Sequence, residues 1–164
     1  MIADHALPAN PVAAARLDSL VRVLGSDTAE ALRPLPDLAH SVSGRTFEFP
    51  QNKMGLRHLM LQFTPGSPEA ELEFVVGPAA ANITIGLDGV YRISELYGQR
   101  WACRGRWVNG ESFILEQEAL GKVLRRRATL NFEGDTLSFE LHGQVRGSVD
   151  MYSAKMTAGL PVGQ

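Results

Sequence analysis

From Ser43 onward, hydrophobic and polar residues alternate with a period of two, which is the pattern of β-strands with one buried face. The segment EAELEFVV is the clearest case, since its apolar residues face one side and its glutamates the other. LRHLMLQF and ANITIGL repeat the pattern, and TPGSP, GPAAA and Asp88-Gly89 supply turns. About eight to nine short strands joined in this way predict an antiparallel meander closed into a barrel or a sandwich.

The second half of the chain predicts its own strand pairing. Asn109-Gly110 is the strongest hairpin signal in the sequence and joins two strands of alternating pattern. Leu120-Gly121 is interpreted as the next turn, which would place Glu116 opposite Arg125 on an exposed face. A turn at EGD and a last strand at SVDMYSA complete the pattern.

The first 40 residues lack the two-residue alternation of the strands. Asn10 followed by Pro11 is typical of a helix N-cap, and apolar residues then recur at helical spacing as far as Gly25. LRPLPDL predicts an extended linker, because two prolines disfavour regular structure. The helix either closes one end of a barrel or belongs to a preceding domain. The chain therefore divides into an N-terminal helix and linker over 1–40, a barrel domain over 41–157 and a tail over 158–164.

Composition narrows the set of partners. The 164 residues carry a formal charge of −2, so no strong field attracts nucleic acid or an anionic membrane. No run of about 18 apolar residues occurs, and no membrane span is predicted. The single cysteine, Cys103, excludes an internal disulfide and leaves the redox compartment open.

Arg104 and Arg106 alternate with Trp107 on the strand before Asn109-Gly110, and two registers place them differently. A two-residue turn would send both arginines inward, whereas a three-residue turn with a bulge would send Trp107 inward. The second register is preferred, because a buried indole contributes more to stability than a buried guanidinium. In the first, the arginines would line a cavity.

Arg126 is the fourth candidate site residue. Its neighbours Arg125 and Arg127 fall on the solvated face, but Arg126 falls on the apolar side with Leu124 and Leu130. An inward arginine has to be paired or to meet an anionic ligand, because burying it alone is costly. An internal ion pair or a position at the barrel end is preferred to a ligand contact.

Searches for catalytic and metal-binding patterns are negative. The four histidines have no metal-ligand spacing, and Cys103 has neither a nearby histidine nor a helix N-terminus to lower its pKa. The boxes S-x-x-K, Tyr-x-Asn and Lys-Thr-Gly are absent, as are a G-x-S-x-G elbow and a phosphate loop. The sequence therefore predicts neither catalysis by this chain alone nor a cofactor.

Four segments together resemble the C-terminal accessory domain of bacterial β-lactamase-related (class C, penicillin-binding-protein-like) serine hydrolases: SGRTFEFPQNKMGLRHLMLQF, IGLDGVYRISELYG, RGRWVNGESFILEQEALGK and LNFEGDTLSFEL. ALPANPVAAARLDSLVRVL is similar to the helix and linker that lead into that domain. The shared motifs are short and structural: N-x-x-G-L from Asn52, G-L-D-G from Gly86 and R-G-R-W from Arg104.

The resemblance implies an antiparallel up-and-down barrel of the lipocalin (calycin) type behind a Ser-Lys-Tyr hydrolase domain of the same bacterial polypeptide. It implies a cytoplasmic or periplasmic location according to the parent protein. The expected function is a non-catalytic accessory domain that packs on the hydrolase or assists its substrate binding. The hydrolase's activity is carried over to no residue of this chain, because its catalytic boxes are missing here.

Two further hypotheses stay open. The chain is alternatively a self-sufficient calycin-type barrel that binds a small apolar or anionic ligand in its mouth, through Arg104, Arg106, Trp107 or Arg126. An open, lined cavity would favour this reading, and a filled interior would favour a docking module. A third hypothesis is a homodimer formed through the exposed strip of the N-terminal helix.

Overall fold

The computed structural model describes residues 29–145 and 152–159, with side chains described for 29–143. In these residues one short helix, α1 (Asp37–Val42), precedes ten strands of a single sheet. The strands are β1 (Thr46–Glu48), β2 (Leu56–Phe63), β3 (Glu69–Val76), β4 (Ala79–Gly86), β5 (Arg92–Leu96), β6 (Gln99–Val108), β7 (Ser112–Ala119), β8 (Leu124–Glu133), β9 (Thr136–Val145) and β10 (Tyr152–Gly159).

The sheet curls until its two ends meet, and the fold is mainly β and nearly closed into a barrel. Its strand order is β4-β3-β2-β1-β10-β9-β8-β7-β6-β5, with antiparallel pairing between all neighbours. One parallel bridge between Gly86 of β4 and Arg104 of β6 closes the seam. Beside it, the Thr84 backbone N–H donates to Ser94 Oγ at 2.9 Å.

This seam corrects the prediction of a purely antiparallel barrel with eight to nine strands. The additional strand is β5, within a segment that the alternation analysis left unassigned. Because β5 has only five residues, it pairs with β6 only as far as Cys103, and the next residue, Arg104, forms the bridge to β4. The connection from β4 to β5 folds back closely on Gly86, where a Cβ would overlap the carbonyl oxygen of Val90.

The inward faces of the strands fill the barrel with apolar side chains. Leu59, Leu61, Ile83, Ile85 and Leu130 are among the largest fully buried side chains. At the end where β2 finishes, five aromatic rings pack with centroid separations of 5.5–5.7 Å: Phe47, Phe63, Trp107, Phe113 and Phe132. Aromatic pairs at such distances stabilise beyond their buried area.

The helix α1 lies at this aromatic end. It buries Ala39 and Val42, and the hydroxyl of the next residue, Ser43, accepts a hydrogen bond from the Phe63 backbone N–H at 2.8 Å. The sequence predicted an extended connector over LRPLPDL, and residues 29–36 are indeed without regular structure, but α1 begins directly after Pro36. The predicted helix ending at Gly25 lies outside the described residues.

The β7–β8 register differs from the prediction by two residues. Glu116 pairs with Arg127, and Arg125 pairs with Glu118. The turn is longer than Leu120-Gly121 alone, because it spans the residues between Ala119 and Leu124. The last strand also shifts, since β10 continues to Gly159, and residues 148–151 of the predicted SVDMYSA strand lie outside the described residues.

Candidate functional site

A surface groove runs between residues 29–36, which we call the strap, and the outer face of β6 and β7. We call it the strap groove. Its first lobe has a volume of about 310 Å³ and mainly polar walls, which include Glu30, Arg33, Arg104, Arg106 and Glu116. Its second lobe, of about 380 Å³, has mainly apolar walls, which include Pro34, Leu35, Pro36, Leu87 and Trp107. Arg33, Leu87 and Arg106 line both lobes, so the groove is continuous.

The β6–β7 hairpin decides which side chains face the groove. Val108 pairs with Ser112, so its loop has three residues, and Asn109 and Gly110 take positive φ angles of 55° and 73°. Of the two registers that the sequence left open, this is the preferred one, with Trp107 turned toward the barrel. The arginines of β6 therefore point outward into the groove.

Trp107 contacts both the barrel interior and the strap groove. Its ring packs at 5.5 Å from both Phe63 and Phe113 and at 5.7 Å from Phe132, measured between centroids. It also lines the apolar lobe, together with Pro36 and Leu87. Its indole N–H is buried and finds no hydrogen-bond acceptor in the described structure.

The three arginines of the groove differ in how far their charge is neutralised. Arg104 donates to Glu116 at 2.9 Å, and its guanidinium lies 4.5 Å from the centroid of the Tyr91 ring. Arg106 reaches the same carboxylate only at 3.9 Å, and its side chain is 53% exposed. Arg33 forms no ion pair with any residue in the described ranges. Glu116 is thus shared by two cations, and Arg33 has no carboxylate partner among the described residues.

The Arg104 guanidinium stacks on the ring of Tyr91. Burial raises the pKa of Tyr91 to about 12; the Arg104 charge opposes this rise, and the carboxylates of Glu118 and Glu116 add to it. The Tyr91 hydroxyl therefore keeps its proton at neutral pH and donates it to Glu118 at 3.2 Å. The stacked guanidinium is held in place by a ring that stays uncharged.

The strap is anchored by the turn that follows β4. The Glu30 backbone N–H donates to the Asp88 carbonyl at 2.8 Å. The Asp88 carboxylate in turn accepts hydrogen bonds from the Val90 N–H at 3.1 Å and from Arg92 at 3.0 Å. Burial alone would raise the pKa of Asp88, but the hydrogen bonds from Arg92 and Val90 outweigh it and lower the pKa. Arg92 also donates to Glu69, which ties the turn to β3.

The four residues singled out from the sequence line the strap groove and a second pocket, and Arg104 lines both. Arg104, Arg106 and Trp107 line the strap groove. Arg126 lies on the inward face of β8, with its guanidinium 4.2 Å from the centroid of the Trp101 ring. It lines a second surface pocket together with Arg104 and Glu116, and its neighbour Arg127 pairs with Glu116, so it lies close to the polar lobe of the strap groove.

Sequence reasoning missed Arg33, Glu30 and Leu87, which form the strap side of the groove and the adjoining turn. No local signal marks them, since only the path of the strap across the sheet brings them to β6. Glu116 was assigned to an exposed pair with Arg125, but it contacts Arg104 instead. The alternation did show that Glu116 faces outward, and that part of the prediction is correct.

In the part of the chain that the structure describes, Cys103 and five serine hydroxyls have structural roles. Cys103 is fully buried, and burial raises its pKa to about 11, opposed by a hydrogen bond from Gln117. Five serine hydroxyls bond to backbone or amide groups: those of Ser41, Ser43, Ser67, Ser94 and Ser112. Across the described ranges, no three His, Cys, Asp or Glu side chains gather as metal ligands would.

Neither the models of known protein families nor the curated protein sequences give a match to this chain. The part of the chain that the structure describes contains no helix with the length and hydrophobicity needed to cross a bilayer. The site is therefore interpreted from its own geometry and from the resemblance of the four segments.

Proposed function

We propose that this barrel is a non-catalytic accessory domain that packs on a β-lactamase-related serine hydrolase domain or assists substrate binding by it. The resemblance of the four segments motivates the proposal. The observation that carries it is an exposed apolar rim, formed by Tyr97, Leu120 and Val123, at the barrel end opposite α1. A rim of this kind suits contact with a second protein surface.

The three rim residues lie on two neighbouring turns. Tyr97 is 61% exposed, Leu120 is 39% exposed and Val123 is 54% exposed. The Gln99 side chain donates to the Leu120 carbonyl at 2.9 Å, and the Leu120 N–H donates to the Arg100 carbonyl at 2.9 Å. The two turns are thereby held side by side, and their apolar side chains form one surface.

Tyr97 occupies a position that a tyrosine does not favour. It forms a two-residue turn with Gly98, and both residues have positive φ angles, 51° and 71°. Such a turn prefers asparagine or glycine at its first position, and a bulky residue there costs about 1 kcal/mol. Strained backbone at an exposed aromatic residue favours a role in recognition, since aromatic anchors are enriched at interfaces.

The filled interior supports this function over a stand-alone barrel with a ligand in its mouth. Phe113 and Leu130 are fully buried between the two sides of the barrel, and Gly105 leaves room for the Phe113 ring. Among the described residues, Cys103 is buried and the hydroxyls of Ser43 and Ser94 serve as structural hydrogen-bond partners, which is compatible with the proposed non-catalytic role.

A hydrolysis assay on this chain alone tests the proposal. A chromogenic β-lactam and a p-nitrophenyl ester are expected to react at the same rate with the protein as with buffer. The reading frame or its neighbours are expected to encode a hydrolase domain with an S-x-x-K box. Turnover by the chain that one serine substitution abolishes would refute the proposed function.

A further inference from the structure

We propose that the strap groove binds a small organic carboxylate with an apolar body. The carboxylate would lie in the polar lobe between Arg33 and Arg106, and the apolar body would lie in the lobe beside Trp107. This site is on the outside of the barrel, away from the mouth considered from the sequence. It would exist whether or not the chain is joined to a hydrolase.

The charge of the polar lobe is the first argument. Its walls hold three guanidinium groups against two carboxylates, those of Glu30 and Glu116. Glu116 is already engaged by Arg104 at 2.9 Å, which leaves Arg106 with a contact of 3.9 Å. The lobe therefore carries an excess of positive charge that attracts an anion, and the planar fork of arginine matches a carboxylate through two parallel hydrogen bonds.

The apolar lobe favours a carboxylate that is attached to an apolar body. Pro34, Leu35, Pro36, Leu87 and Trp107 border a volume of about 380 Å³, which lies in the range of small-molecule sites. An aliphatic or aromatic body placed there removes apolar surface from water, at roughly 25 cal/mol per Å² of area buried. A bare inorganic anion would leave this lobe unused.

The groove is preformed, which reduces the entropy lost on binding. The strap is fixed at one end by the hydrogen bond from Glu30 to Asp88. Near its other end, Leu35 packs on the hydrophobic core, and α1 begins after Pro36. Arg104 is held by Glu116 and Tyr91, so its charge is positioned before any ligand arrives.

The test is a titration of the ¹⁵N-labelled protein with 3-phenylpropionate, followed by NMR. Saturable shifts are expected at the backbone amides of 87–89 and 104–106 and at the indole N–H of Trp107. The uncharged 3-phenylpropanamide is expected to bind at least fivefold more weakly, and acetate, which lacks the apolar body, also more weakly. Equal affinity for the acid and the amide would overturn the proposal.

Two variants and one control locate the site. Arg33→Gln and Arg106→Gln are each expected to weaken binding of 3-phenylpropionate about fivefold, the upper end for exposed charge pairs. Arg125→Gln removes an exposed arginine of the same sheet, paired with Glu118 at 3.1 Å but outside the groove, and is expected to leave the affinity unchanged. An equal loss in Arg125→Gln would show that only net charge matters, and would refute the site.

Discussion

Replacement of Gly105 by alanine tests whether the barrel is as tightly filled as described. A Cβ on this residue would overlap Cζ of Phe113, lie 2.9 Å from Cε1 of the same ring and lie 3.0 Å from Cγ2 of Ile85. Carbon atoms pack best at about 3.5–4.0 Å, so the ring would have to move by about 1 Å. Phe113 is fully buried and contacts the rings of Phe63 and Trp107, so it has nowhere to relax.

Overpacking of a filled core costs about 1–3 kcal/mol, and Gly105→Ala is expected near the upper end of that range. The free energy of unfolding is measured in urea by tryptophan fluorescence. Phe113→Leu, which shortens the ring that clashes, is the matched partner in a double-mutant cycle. The two changes together are expected to cost at least about 1 kcal/mol less than the sum of their separate costs. A loss below about 0.5 kcal/mol for Gly105→Ala, or strict additivity, would refute the packing.

Three further predictions concern other parts of the fold. Tyr97→Asn relieves the strained turn and is expected to raise the free energy of unfolding by about 0.5–1 kcal/mol; a decrease would contradict the strain argument. Asp88→Asn is expected to cost about 1–3 kcal/mol at pH 7, because it removes hydrogen bonds to a charged partner. Since the pKa of Asp88 is lowered in the folded state, its contribution is present above the unfolded pKa of about 3.9 and is lost as the pH falls below it. The difference between the melting temperatures of the two proteins should therefore shrink as the pH falls below about 3.9, and a constant difference would be inconsistent with this. Cys103 is expected to react with a thiol reagent at pH 8 only after denaturation, because its pKa is raised to about 11 and it is buried; fast labelling of the native protein would contradict its placement.

The local elements could be predicted from the sequence, because alternation reports burial directly. In β3 the inward residues Ala70 and Leu72 are buried, and Glu69 and Glu73 are exposed, as the pattern indicated. The pairing of β7 with β8 could not be predicted, since a turn longer than Leu120-Gly121 shifts every partner by two. The parallel bridge of β4 with β6 is a contact between strands whose approach no local pattern encodes.

The candidate site shows the same division. The alternation of Arg104, Arg106 and Trp107 was visible, but the face of each depended on the loop length at Asn109-Gly110, because a slip of one residue exchanges the faces. The structure has a three-residue loop, so Trp107 points toward the interior and both arginines point into the groove. The position of Arg33 in the groove depends on the path of the strap, and tertiary packing determines that path.

The proposed function requires that this domain docks through its exposed rim on a hydrolase domain. Calorimetry measures binding of a β-lactamase-related serine hydrolase domain, the proposed partner, to the wild-type chain, Tyr97→Asn and Leu120→Lys. Ile93→Thr is the control, since Ile93 is exposed and apolar but lies outside the rim. Each rim variant is expected to bind at least about tenfold more weakly, or about 1.4 kcal/mol, while Tyr97→Asn is also more stable to unfolding. Unchanged binding by both rim variants would contradict the claim.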